Sequence, residues 1–321
     1  MRLVMMGTGP FAVPTFESLI DSDHDVVWLV TRSSTKVRTR KSGPRNPMLE
    51  VARQRGVPIF APEDVNASDA RKKLAAVQPD LLVVCDYGQI LSPETLAIAP
   101  LGGVNLHGSL LPKYRGAAPV AWAVVEGESE TGVTVIHMTP RLDAGPCLTQ
   151  QKTRIRPDET AAELEPRLAE IGLQQVHKSL AMLAAWDGKA ALGWLQDSAV
   201  ATRAPRLRKA DGQVRWSKTA IQIRNQVRGL KPWPGTFTHW LRRQGEPLRL
   251  ILDQVAPVET DASAANPGTV VKSDGRQLHI ATGGGYLSLE QVQPAGKRAM
   301  EIAEFLHGHR IQVGDPFGDK V

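Results

Sequence analysis

Leu81-Leu82-Val83-Val84-Cys85 is an unbroken apolar run of five residues. A half-exposed strand alternates apolar with polar side chains. A strand with no polar position is one covered on both faces, as in a parallel sheet sandwiched between helices. The chain to either side has the same texture. Arg2 to Met6 reads as a strand, Gly7-Thr8-Gly9-Pro10 as its turn, and Val13 to Ile20 as a helix with Pro14 in the first turn. Asp25 to Thr31 is a second strand, and Pro47 to Arg55 a short helix closed by Gly56. Gly103 to His107 and Thr131 to Met138 are further strands. Alternation of this kind predicts a doubly wound, Rossmann-like α/β domain with a parallel sheet.

Thr160 to Trp186 predicts one long helix, with Leu164, Leu168, Ile171, Leu180 and Leu183 on one stripe and Gly188 as its stop. Residues 189–206 have no periodicity and read as a linker between a domain at 1–188 and a second at 207–321. Beyond Pro205 the runs become short and β-like, as at Leu248 to Leu252, Gly268 to Lys272 and Leu278 to Ala281. Turn clusters such as Asn266-Pro267-Gly268 separate them, and one helix is expected near Thr219 to Arg228. This pattern predicts a small OB-like β-barrel.

The 321 residues include two cysteines, Cys85 and Cys147, both in apolar stretches. That is neither a disulfide framework nor a zinc pattern, and both are expected to be buried thiols in a reducing compartment. The first seven residues reach a glycine too early for a secretory leader. No apolar run approaches the ~20 residues needed to span a bilayer. A cytoplasmic monomer with no metal site is expected. The net charge of +6 admits a polyanionic partner without identifying one.

Gly7-Thr8-Gly9-Pro10-Phe11-Ala12 resembles a dinucleotide fingerprint, in which backbone amides at a helix N-terminus receive a pyrophosphate. Two features weaken that reading. The second strand ends Leu29-Val30-Thr31-Arg32, with no acid to hold a ribose, and Pro10 removes an amide donor.

Asn105-Leu106-His107 closes the fourth strand, so both polar side chains point to one face. A carboxamide can donate to a developing oxyanion, and an imidazole beside it can donate or accept a proton. Spacing alone fits a structural pair equally well. Asp143 lies in the Arg141-Leu142-Asp143-Ala144-Gly145-Pro146 loop beyond the next strand. A carboxylate there could hold the imidazole tautomer, or could simply cap a turn.

The run Asn105-x-His107-x-Ser109-Leu110-Leu111-Pro112, then Tyr114-Arg115-Gly116 and Leu142-Asp143-x-Gly145, resembles the 10-formyltetrahydrofolate-dependent formyltransferase family. The resemblance implies a Rossmann-like domain whose catalytic set falls on Asn105, His107 and Asp143. It implies folate contacts at Ser109, Leu110, Leu111 and Pro112, and a pterin-holding loop around Asp86, Tyr87 and Gly88. 10-Formyltetrahydrofolate would then be a co-substrate, not a tightly bound cofactor. Members acting on glycinamide ribonucleotide or sugar nucleotides share this domain, so the C-terminal half decides among them. Thr202 to Gly212, Val227 to Gly235 and Gln293 to Met300 resemble the members that act on methionyl-tRNA. The implied acceptor is the α-amino group of methionyl initiator tRNA.

Charge placement agrees with an RNA partner. Arg32, Lys36, Arg38, Arg40, Lys41 and Arg45 crowd one loop with no acid among them. The resemblance assigns that loop to the acceptor stem, although the glycine-rich run expected there is missing. Arg206, Arg208, Lys209, Arg215, Lys218, Arg224, Arg228 and Lys231 crowd the start of the second domain, opposed locally only by Asp211. Arg38, Arg40, Lys41, Arg206, Arg208 and Lys209 are the expected tRNA contacts, acting on phosphates through counterion release.

Overall fold

A computed structural model describes residues 1–32, 46–258 and 265–319. Arg38, Arg40 and Lys41 lie outside the described residues, so their expected role rests on sequence alone.

The chain divides into two compact units. The first comprises Met1–Val120, Glu130–Arg154 and Glu163–Pro205; the second comprises Ala121–Ser129, Ile155–Ala162 and Arg206–Val321. In chain order the strands of the first are β1 (Arg2–Gly7), β2 (Asp25–Val30), β3 (Ile59–Phe60), β4 (Leu81–Cys85), β5 (Gly103–His107), β6 (Arg115–Gly116), β7 (Glu130–His137), β8 (Cys147–Arg154) and β9 (Arg203–Ala204). The helices up to the second unit are α1 (Val13–Ile20), α2 (Pro47–Gln54), α3 (Ser68–Ala76), α4 (Pro93–Leu96), α5 (Pro119–Val125) and α6 (Ala161–Ala184).

Seven of these strands form one sheet in the order β3-β2-β1-β4-β5-β7-β8. Strands β1 to β5 are parallel, and the order reverses between β1 and β4, which is where open α/β sheets leave a crevice. Burial on both faces explains the apolar runs. Val4, Met6, Val30, Leu82 and Val84 pack with Leu74 of α3 and Leu96 of α4. The alternate residues Leu3, Met5, Leu81 and Val83 are fully buried on the opposite face. On α6, Leu164, Leu168, Leu180 and Leu183 are buried as the stripe requires. Gly172 brings that helix close to β5, because a Cβ there would lie 2.7 Å from Leu106.

The sheet is not wholly parallel. Strand β7 runs antiparallel to β5, and β8 antiparallel to β7. A parallel neighbour needs a crossover that returns the chain to the start of the sheet. The connection between β5 and β7, residues 108–129 with α5 inside it, makes no such return. The chain re-enters from the end where β5 stops, with His107 opposite Thr134. Residues 202–204, read from sequence as linker, form ordered structure. Strand β9 pairs in parallel with β6, Arg115 opposite Arg203 and Gly116 opposite Ala204.

The second unit holds α7 (Ala220–Gly229), β10 (Thr236–Trp240), β11 (Leu248–Val258), β12 (Val270–Ser273), β13 (Leu278–Ala281), β14 (Tyr286–Pro294), β15 (Met300–Glu301), α8 (Ile302–Gly308) and β16 (Phe317–Gly318). Thr219 and Gln222 cap α7 reciprocally. The antiparallel sheet runs β12-β13-β14-β11-β10-β16, with β15 added to β14. Its ends meet: Thr269 bridges Pro316, and Val270 N donates to Asp315 O. The sheet thus curls into a barrel-like layer around Trp216, Ile223, Leu250, Ile280, Leu289 and Phe305.

Trp233, between Pro232 and Pro234, is 53% exposed. Cys85 and Cys147 are buried free thiols. Among the described residues, no helix is long and apolar enough to cross a membrane.

Candidate active site

Asn105 and His107 lie on one face of β5, beside the reversal point of the sheet. His107 is 5% exposed. Its Nε2 lies 2.9 Å from the carbonyl of Tyr114. A carbonyl only accepts, so Nε2 carries the proton and Nδ1 is left for other work. Nδ1 faces Asp143 Oδ2 at 3.8 Å, ion-pair range for an imidazolium but too long for a hydrogen bond. The other carboxylate oxygen, Oδ1, accepts from Asn105 Nδ2 at 3.3 Å. Asp143 therefore links both members of the β5 pair.

Asp143 does not arrive as sequence order suggests. Because β7 is antiparallel, it ends beside the start of β5, with His137 opposite Val104. The chain then doubles back, and Cys147 pairs with Ile136. Gly145 permits this return, since a Cβ there would lie 1.9 Å from His137 O. Asp143 itself adopts a left-handed backbone, φ 49°. That conformation costs an L-residue roughly 1 kcal/mol or more and persists only where neighbours hold it. Asp86 at φ 47° and Tyr114 at φ 63° are strained in the same way.

The neighbours that hold Asp143 come from the loop after β5 and from the 194–204 segment. Gly116 N donates to Asp143 Oδ2 at 2.9 Å. Tyr114 N donates to Thr202 Oγ1 at 2.8 Å, and Arg115 N to Thr202 O at 2.9 Å. Gln196 Nε2 donates to the carbonyls of Asp143 and Gly145, both at 2.8 Å. Sequence reasoning missed Gln196, Thr202 and the amide of Gly116. Thr202 and Gly116 stood in recognised motifs, but Gln196 lies in an aperiodic stretch with no local signal.

Gly116 has a specific reason to be glycine. At φ 131°, a Cβ would stand 2.4 Å from Ala204 O. Gly116→Ala must push β9 away from β6 or move the amide that holds Asp143. We expect a loss of about 2 kcal/mol from strain of this kind, read as a fall in Tm of roughly 4–8 °C. Transfer activity should fall with it. A variant melting with the wild type would show that this close approach is dispensable.

The Ser109-Leu110-Leu111-Pro112 segment is pinned from below. Thr134 Oγ1 accepts from Leu111 N at 3.1 Å and donates to Ser109 O at 2.7 Å. Gln150 Nε2 donates to Leu111 O at 3.1 Å. Ser109 is fully buried and its hydroxyl donates to Lys113 O at 2.6 Å. Leu111 is also buried, while Leu110 and Pro112 are half-buried.

Asp86 lies against the glycine turn after β1. A Cβ on Gly9 would sit 1.7 Å from its Oδ2, and its carbonyl accepts from Thr8 N at 3.1 Å. A carboxylate thus occupies the place where a dinucleotide fingerprint would seat a pyrophosphate. Asp86 keeps exposed surface, yet desolvation by the protein around its carboxyl pushes it up to about 6. Glu165 of α6 is also raised, by burial and then by the charge of Asp86. Tyr87 is placed differently from Asp86. Its ring belongs to the core with Val4 and Met6, and its carbonyl accepts from Thr8 Oγ1 at 3.2 Å. Gly88 is exposed, at φ 80°.

In the second unit Arg206, Arg208 and Lys209 are exposed. The rest of the basic cluster is less uniform than its sequence. Arg224 binds Asp158 and Pro157 O, Arg228 donates to Glu159 O at 2.9 Å, and Lys231 lies 3.1 Å from Asp253. Burial lowers Arg228. Acids distant in sequence therefore neutralise part of a cluster that in sequence is opposed only by Asp211.

This α/β sheet, with an amide, an imidazole and a carboxylate gathered beside its crevice, is built for group transfer to or from a carbonyl carbon. Residues 1–191 match the formyl transferase family and residues 206–310 match the formyl transferase C-terminal domain, and the chain belongs to that family. Among its relatives, methionyl-tRNA formyltransferase of Rhodopirellula baltica is 46% identical over 322 residues, covering 98% of this chain and 96% of that protein. The methionyl-tRNA formyltransferase of Solibacter usitatus is 38% identical, covering 99% of each. The fold is shared with WlaRD, a sugar 3N-formyl transferase, at TM-score 0.66 and 15% identity, over 93% of this chain and 99% of that one. It is shared with HypX of Aquifex aeolicus, solved with tetrahydrofolic acid, at TM-score 0.60 and 16% identity, over 95% of this chain and 47% of that one.

Proposed function

We propose that the chain transfers the formyl group of 10-formyltetrahydrofolate to the α-amino group of methionyl initiator tRNA, in support of translation initiation. The observation that carries the chemistry is the convergence of Asp143 on both Asn105 and His107. Near-full-length likeness to methionyl-tRNA formyltransferases supports the choice of acceptor.

The neutral amine of the aminoacyl ester attacks the formyl carbon and forms the new C–N bond. Negative charge develops on the formyl oxygen, where Asn105 Nδ2 and protonated His107 Nδ1 donate hydrogen bonds. Asp143 balances the imidazolium and relays the proton that the amine sheds. The bond to folate N10 breaks, and that proton ends on N10. The folate lies along the segment from Ser109 to Pro112 and against the Asp86 to Gly88 loop. The curled sheet serves as an OB-like RNA-binding module, with Arg206, Arg208 and Lys209 on phosphates and Arg38, Arg40 and Lys41 at the acceptor end. A cytoplasmic monomer suffices, because one chain supplies all three catalytic side chains.

The direct test is formation of formyl-methionyl-tRNA from charged initiator tRNA, with and without 10-formyltetrahydrofolate. Product is expected only with the folate. Transfer to an amino-sugar nucleotide, and none to the charged tRNA, would overturn the reading.

A further inference from the structure

We propose that Gln196 is a positioning residue for formyl transfer, acting as a clamp that fixes the Asp143 turn against Arg115; the inference rests on Asn105, His107 and Asp143 being the chemical centre. The Gln196 amide is used on both sides. Nε2 donates to Asp143 O and Gly145 O, each at 2.8 Å. Oε1 accepts from Arg115 Nε at 3.1 Å and from Arg115 Nη2 at 2.7 Å. The orientation is forced. A flipped amide would set an oxygen against two carbonyls and an NH2 against a guanidinium, and all four bonds would fail.

The clamp is itself held. Trp194 exchanges backbone hydrogen bonds with Cys147, Trp194 N to Cys147 O at 3.0 Å and Cys147 N to Trp194 O at 2.9 Å. That anchors the chain at the start of β8, two residues before Gln196. On the far side, Asp197 Oδ1 accepts from Ala199 N at 2.9 Å.

The consequence reaches the carboxylate through the backbone. Asp143 sits in a left-handed conformation that it would leave if released. The two carbonyls held by Gln196 bracket that residue on its C-terminal side, and the amide of Gly116 holds its side chain. Arg115 adjoins Gly116, so Gln196 ties together the two loops that set the Asp143 carboxylate. Misplacing a catalytic group by about 1 Å can cost roughly 10²-fold in rate.

Gln196→Met keeps the length of the side chain and removes all four bonds. Gln196→Glu keeps the acceptor for Arg115 but sets a carboxylate against two carbonyl oxygens. Both variants are expected to lower the single-turnover rate at saturating substrates by roughly tenfold or more. KM for folate and for tRNA should stay near wild type. The decisive readout is a double-mutant cycle with Asp143→Asn. Once the carboxylate is gone its placement no longer matters, so Gln196→Met should slow the Asp143→Asn enzyme little further. A wild-type rate in both Gln196 variants, with Asp143→Asn still crippled, would overturn this role alone. Fully additive losses would overturn it too, since Gln196 would then act independently of Asp143. An Asp143→Asn enzyme with a wild-type rate would sink the catalytic set and the clamp together.

Discussion

His107→Ala and Asp143→Asn should each slow single-turnover formyl transfer by roughly 10²-fold or more, with binding of charged tRNA nearly unchanged. The geometry gives the two losses different causes. His107→Ala removes Nδ1, the ring atom not occupied by the Tyr114 carbonyl. Asp143→Asn keeps the shape but removes the charge that faces Nδ1 at 3.8 Å. It also offers an NH2 where the carboxylate now accepts from Asn105 or Gly116, so one of those bonds must fail. Rapid-quench measurement of formyl-methionyl-tRNA at saturating folate and tRNA separates the chemical step from binding. A near-wild-type single-turnover rate in either variant would remove that residue from the catalytic set.

How much of this was legible in the sequence follows from where each signal resides. The central strand was, because Leu81 to Cys85 is buried on both faces and so carries no polar residue. So was the alignment of Asn105 with His107, since i and i+2 share a face in any strand. The direction of a strand leaves no such mark. Strand β7 is buried along most of its length, as a parallel strand would be, and only its pairing with β5 shows that it runs the other way. Strand β8, Cys147-Leu148-Thr149-Gln150-Gln151-Lys152-Thr153-Arg154, lies at the sheet edge and is largely exposed beyond Leu148. Its polar residues leave it without a strand pattern in the sequence.

Long-range partners were illegible for the same reason. Gln196 finds Asp143 through a chain reversal, and Asp158 and Asp253 neutralise cations on α7 and beside it from outside that stretch. Asp86 shows the opposite case. The weak glycine fingerprint was visible, and so was Asp86 in the loop after Leu81 to Cys85, but only the fold reveals that this acid sits over Gly9. Motifs report local backbone needs, whereas charge balance and site assembly depend on elements brought together by the fold.

Neutralising Arg206, Arg208 and Lys209 together should flatten the salt dependence of tRNA binding by roughly one logarithmic unit for each phosphate left without its cation. With three phosphates so released, raising salt from about 50 to about 200 mM should cost the wild type roughly 60-fold more affinity than the triple variant. These three side chains are exposed, unlike Arg224, Arg228 and Lys231, which are engaged within their own unit. Substituting the latter group should instead disturb folding. Binding to phosphate carries no base information, so the triple variant should lose affinity for initiator and elongator methionyl-tRNA alike. Neutralising Arg38, Arg40 and Lys41 should act differently. A loop that meets the reacting end lowers the rate at saturating tRNA and blurs the preference for the initiator, since positioning, not affinity, is lost. Salt-dependent binding and single-turnover kinetics on both tRNAs separate the two behaviours. If the loop variant lost only affinity, with rate and preference intact, both clusters would be electrostatic anchors and the division of labour between them would fall.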